Sequence, residues 1–326
     1  MARLLVSSIV REASPLEISG YLYTVDVDEC AVRERTPFIE APLRDLDPNP
    51  RGGMRGARGI AVDGDDVYVA NFSAVYRFDT QWRCQGVISH PGCADIHEIA
   101  FHDGSLWVTS TRNDTLMRFD REGKLRARIK LRDTVRLSDG LPDSIPHPVD
   151  GIDIRDPRTH EKAQYDFLHV NSLAFAPDDS LVVSLGQMAT AEGPQSRLVR
   201  LHPNGGSELT SELKGATVPR HNALHLQDGS LLFSDTPRGE LVCLDSEAGT
   251  ELDRISIGAG YLRGLAQLED GRIAVGAQQR IALVDARTKE PPQFIRLSHD
   301  PRESVHSIAV LPLEFAGLPE CLYPLA

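Results

Sequence analysis

One motif recurs six times along the chain and restricts its fold more than any other feature. A complete copy opens with His or Arg, runs through a short apolar strand to a turn of the Asp-Gly kind, and returns through further apolar strands. The copies read RGIAVDGDDVYVANFSAVYRFD from Arg58, HEIAFHDGSLWVTSTRNDTLMRFD from His97, HVNSLAFAPDDSLVVSLGQ from His169, HNALHLQDGSLLFSDTPRGELVCLD from His221, RGLAQLEDGRIAVGAQQRIALVD from Arg263 and HSIAVLP from His306. The opening residues lie 39, 72, 52, 42 and 43 positions apart. A four-stranded propeller blade takes roughly 40 to 50 residues.

Asp-Gly flanked by alternating apolar residues signals a tight hairpin, because Gly takes positive φ without steric cost and primed turns match strand twist. The expected fold is therefore all-β, a six-bladed β-propeller. The sixth copy stops after one strand, while LLVSS and GYLYTVDV near the N-terminus read as its missing second and third strands. Pairing of the two termini within one blade would close the ring and remove exposed strand edges. The chain is expected to form a single domain over 1–326, with an insertion at about 130–168 in the place of a lid.

Composition narrows the partners. A formal net charge of -12 without a basic run argues against nucleic acid. No apolar run reaches the length of a membrane span, and the N-terminus lacks the pattern of a secretory signal. Five scattered cysteines without CxxC spacing suit reduced thiols, so the compartment expected is the cytoplasm. Nucleophile-elbow, P-loop, dinucleotide and HExxH motifs are missing.

The repeat brings two residue sets to one end of the blades: Arg58, His97, His169, His221, Arg263 and His306 at the start of the first strands, and Asn71, Thr111, Gln187, Asp235 and Gln278 after the second. Asn171 and Asn222 compete with His169 and His221 for the same slot, and a slip of one residue would turn a side chain away. Four imidazoles from His97, His169, His221 and His306 could hold a divalent ion, iron first, with zinc or copper as alternatives. The competing reading is a recurrent structural histidine that orders each blade. Arg58 and Arg263, with Asn71 and Gln187, are candidates to bind an anionic substrate, and Tyr261 and Asp235 are candidates to move a proton.

The segments HVNSLAF, PRHNALHLQDGSLLFSDTPRGEL and GYLRGLAQLEDGRIAVGAQQR resemble a family of conserved hypothetical bacterial propellers. That resemblance implies the fold and no activity. In site geometry alone, the histidine set is similar to carotenoid-cleaving oxygenases, with four histidines on iron, and to the peptide-amidating lyase, with three on zinc beside an Arg and a Tyr. The expected function is thus a metal-dependent enzyme acting on a small polar or anionic molecule, of oxidoreductase or oxygenase chemistry. A zinc-type lyase or isomerase at the same site is the alternative. A third reading is a non-catalytic scaffold propeller with a protein partner.

Overall fold

The computed structural model describes residues 2–14, 17–38, 56–134, 151–156, 158, 165–190, 193–203, 206–214, 219–288 and 290–322. These form six four-stranded antiparallel sheets, the blades of a six-bladed β-propeller. Contacts divide the chain into two compact units, residues 1–90, 155–157 and 263–326 in one, and residues 91–154 and 158–262 in the other.

In the unit that contains both termini, the first blade is built from Ile60–Asp63, Asp66–Ala70, Ala74–Phe78 and Cys84–Ser89. The fifth is built from Leu262–Gln267, Ile273–Ala277, Arg280–Val284 and Gln293–Arg296. The sixth joins Glu303–Val310 to the N-terminal strands Arg3–Val10, Gly20–Asp26 and Ala31–Pro37, with Leu5 opposite Ala309. The closure expected from the repeat is therefore present. Its inward positions supply the apolar layers between blades: Leu5, Leu22, Ile60, Val67, Val69 and Tyr76 pack in one cluster, and Leu4, Val6, Ala274, Ile281 and Ile308 in another.

In the other unit, the second blade comprises Ile96–His102, Ser105–Ser110, Thr115–Phe119 and Leu125–Lys130. The third comprises Val170–Phe175, Leu181–Thr190, Gly193–Leu201 and Ser207–Lys214, and the fourth Arg220–His225, Leu231–Asp235, Glu240–Leu244 and Glu251–Ser256. Asp103 and Gly104, at φ 44° and 66°, make the two-residue turn that pairs His102 with Ser105. Both central residues have positive φ, as a type I′ turn needs. The first strand of the third blade packs against those of the second and fourth, so the residues that open these three strands share one end of the unit.

The only described part of the insertion before Gly151 is the one-turn helix Leu131–Thr134. Residues 135–150, 157 and 159–164, and with them most of the expected lid, lie outside the described residues. No described helix is long and apolar enough to cross a membrane. All five cysteines are free thiols.

Candidate active site

Each first strand of the second, third and fourth blades carries a bulge, with register shifts between Ile96 and Ile99, Val170 and Ser172, and His221 and Ala223. A bulge re-aims a side chain and adds one residue to the count. Counting back four positions from Phe101, Phe175 and His225, which pair with Leu106, Leu181 and Leu231, places His97, Asn171 and His221 in one equivalent slot. The reading that put His169 in the recurrent slot is thus corrected. Asn171 holds it, and His169 stands just before the strand.

The slot residues join neighbouring blades. His97 Nδ1 lies 2.9 Å from both the Asp95 carbonyl and Thr111 Oγ1, and the Thr111 hydroxyl donates to the Val170 carbonyl. In the fourth blade, His221 Nδ1 lies 2.8 Å from Thr236 Oγ1, whose hydroxyl donates to the Leu262 carbonyl at 2.9 Å. A hydroxyl that donates to a carbonyl must accept from the imidazole, so Nδ1 carries the proton in both histidines. In the third blade Gly186 takes the threonine position. An added Cβ there would sit 2.0 Å from Asn171 Nδ2, and this amide instead donates directly to the Arg220 carbonyl at 2.6 Å. His97 and His221 are 7% and 2% exposed. They serve as blade staples, the structural alternative anticipated for this repeat.

His169 differs. Its side chain is 21% exposed, and Nδ1 lies 3.1 and 3.2 Å from the two carboxylate oxygens of Asp166. The carboxylate accepts from Nδ1–H, which leaves a lone pair on Nε2. The His97 ring meets it edge-on at 5.1 Å between centroids. The segment is fixed from below by Asp114, whose carboxylate accepts the N–H groups of Phe167, Leu168 and His169 at 2.9 to 3.1 Å and faces Arg132 at 3.4 Å. Burial, reinforced by the Asp166 charge, pushes the Asp114 carboxyl up to about 7 against the pull of these donors. His169 adopts φ 52°, a left-handed conformation unusual outside glycine. Asp95 and Tyr261 do the same just before their first strands, at φ 55° and 62°, so the turn is a repeated device of the fold. Glu98, next to His97, accepts a hydrogen bond from Asn222 Nδ2.

The remaining candidates are placed as follows. Tyr261 lies in the same unit, its ring centroid 6.4 Å from that of His221 and its N–H bonded to the Thr236 carbonyl. Asp235, expected to move a proton, is fully buried, with Arg238 and Arg254 each at 3.6 Å. Its carboxyl is raised chiefly by burial, and it belongs to an ion network inside the fourth blade rather than to a reachable site. Asn71, expected to bind substrate, is also fully buried: its Oδ1 accepts the N–H groups of Ser73 and Ala74, and its amide donates to the Tyr76 hydroxyl. It caps a turn. The side chain of Gln187 lies outside the described residues. Arg58, Arg263 and His306 belong to the unit with both termini. Each is buried, and the Arg58 guanidinium lies 5.4 Å from the Phe72 ring centroid.

Among the described residues, no three His, Cys, Asp or Glu side chains are grouped as a metal ion would require. The four-histidine set expected from the repeat is altered in the third blade, where Asn171 rather than His169 holds the slot. Sequence reading missed Asp114, Asp166, Glu98 and Thr236. Asp166 could have been found from its place three residues before His169, whereas Asp114 is 55 residues away from the backbone it holds.

No known family model matches the sequence, and neither does any curated protein. Solved structures share the fold at low identity. A chain of a nidogen/laminin complex matches with a TM-score of 0.64 and 10% identity, over 95% of this chain and 98% of the other. A protein of unknown function from Bacteroides caccae matches at 0.59 and 13%, over 95% and 98%. A catalytically inactive virginiamycin B lyase from Staphylococcus aureus, solved with quinupristin, matches at 0.51 and 11%, over 76% and 71%. At these identities the likeness establishes the propeller fold and nothing more specific.

Proposed function

We propose that this protein is a proton-transferring enzyme of the lyase or isomerase type, acting on a small polar molecule where the first strand of the third blade begins. His169 is its general base. The observation that carries this reading is the Asp166–His169 pair, in which a carboxylate fixes one tautomer of a partly exposed imidazole. Such a carboxylate also stabilises the imidazolium formed when Nε2 takes a proton. The substrate then needs a C–H made acidic by a neighbouring carbonyl or carboxyl group. His169 Nε2 removes that proton; the C–H electron pair forms a C=C bond as the bond to a β leaving group breaks or, in an isomerisation, as the carbonyl π pair moves onto oxygen to give an enolate; and the imidazolium returns the proton to the departing group or to another carbon.

The fold is shared with lyases, which makes quinupristin a reasonable first compound in a screen. The test is deuterium uptake from D2O, followed by NMR, into a panel of small carboxylic acids, keto acids and lactones together with quinupristin. The wild type should exchange or eliminate at least one member, and His169→Gln should lose about 100-fold or more of that rate. Exchange that persists in His169→Gln would overturn the assignment.

One observation favours a second reading, that of a binding module: His97 and His221 hold blades together rather than facing a ligand. The nidogen/laminin likeness is compatible with such a role. A protein that exchanges nothing in the panel, yet captures a defined protein partner through this end of the blades, would favour it.

A further inference from the structure

A cavity of about 860 Å³ opens between the second and third blades, at the hairpin ends of their first strands. That volume is within the roughly 300 to 1,000 Å³ of small-molecule sites. Phe175 in its wall closes the strand Val170–Phe175, at the opposite end of that strand from His169. One wall is aromatic: Phe175 lies between His102, stacked at 3.9 Å and 9°, and Trp107, edge-on at 5.5 Å. Leu181 and Leu201 extend this apolar wall.

Arg118 faces this wall. It pairs across the sheet with Trp107 and Ala127, and its guanidinium carbon lies 5.6 Å from the Trp107 ring centroid. Its Nε is closed to solvent without a hydrogen-bond partner, and among the described residues no carboxylate pairs with it. Several other polar groups at the cavity have partners. His102 meets Asp179 at 3.0 Å, His202 meets Glu208 at 3.4 Å, and Asp178 is held by Ser180 and faces Arg200 at 3.7 Å. Asp103 and Asp133 stand at the rim. Lys130 and Arg128 line the same space, and Arg128 Nε also lacks a hydrogen bond. A half-buried guanidinium fork with no internal anion, set against stacked rings, suits a carboxylate or phosphate attached to a planar body.

We infer that this cavity binds a small organic anion, an aromatic carboxylate or phosphate monoester, with Arg118 gripping the charge and Trp107 and Phe175 flanking the ring. The inference stands independently of the chemistry at His169. Titration calorimetry with phenyl phosphate, benzoate, inorganic phosphate and benzyl alcohol tests it. Phenyl phosphate or benzoate should bind saturably with Kd of about 1 mM or below, while the inorganic ion and the neutral alcohol bind at least about tenfold more weakly. Arg118→Gln should weaken the organic anion about tenfold or more, and Trp107→Leu should weaken it with no change for inorganic phosphate. A thermal melt confirms that each variant is folded. Equal binding of phenyl phosphate and inorganic phosphate, equal binding of benzyl alcohol, unchanged affinity in a folded Arg118→Gln, or no saturable binding by either organic anion would overturn the inference.

Discussion

Thr236→Val removes one hydroxyl and keeps the side-chain shape. In the fourth blade that hydroxyl accepts from His221 Nδ1 at 2.8 Å and donates to the Leu262 carbonyl at 2.9 Å. His221 is 2% exposed, so water cannot readily replace the lost partner. A buried polar group left unsatisfied costs about 1 to 3 kcal/mol. Two such groups, allowing for relaxation, give about 2 to 4 kcal/mol. The entropy of unfolding, about 2.1 cal/mol/K per residue, makes about 0.7 kcal/mol/K for this chain of 326 residues. The melting temperature should fall by about 3 to 6 °C. Scanning calorimetry of the wild type, Thr236→Val and His169→Gln measures it. His169→Gln removes a partly exposed ring outside any staple and should change Tm by less than about 2 °C. A Thr236→Val melt within about 1 °C of the wild type would refute the staple, as would a larger loss in His169→Gln.

Three further outcomes follow from the same unit. Gly186→Ala places a methyl group 2.0 Å from Asn171 Nδ2. It should break the bond to the Arg220 carbonyl and destabilise by about 2 kcal/mol or more, read as a lower urea midpoint. Asp114→Ala removes the acceptor of three backbone N–H groups and one acidic partner of Arg132. At pH 5 it should cost about 3 kcal/mol or more, a cost that shrinks as pH rises, and open residues 165–169 to rapid amide exchange. The Asp114 carboxyl is raised from 3.8 to about 7 in the fold, so the folded state holds a proton that the unfolded state has released. Its contribution to stability is complete below about pH 4 and is lost as pH rises through 7. Urea melts from pH 4 to 8 should show wild-type stability declining relative to Asp114→Ala across that range, and a gap that widens instead would contradict the assignment.

The propeller was legible because its signals are local. Five apolar hairpins, four of them with Asp-Gly at the turn, and terminal strands with complementary gaps need no knowledge of distant contacts. Repeat spacing marks the slot at His97 and leaves Asn222 beside His221 and, in the third blade, Asn171 beside His169 as competitors. There His169 and Asn171 lie two residues apart, and a bulge decides which one enters the slot. The contacts of Asn71 and Asp235 are not marked in the sequence, because a polar residue after a second strand can equally cap a turn or join an internal ion network. The clamp that holds His169 joins Asp114 to a segment on the far side of the insertion, and no periodicity records such a link. Arg118, with no carboxylate partner among the described residues, lies outside the repeat position, where no periodicity marks it.

His97, His169 and His221 divide structural and chemical roles among them, and mapped acylation tests this division most directly. Native protein is treated briefly with diethyl pyrocarbonate, and each histidine is quantified by peptide mass spectrometry. His169, partly exposed with its Nε2 lone pair available, should be modified in the folded protein, while His97 and His221 stay protected until the blades are unfolded. Modification of His97 or His221 at the rate of His169, or protection of His169 with the others, would contradict the account.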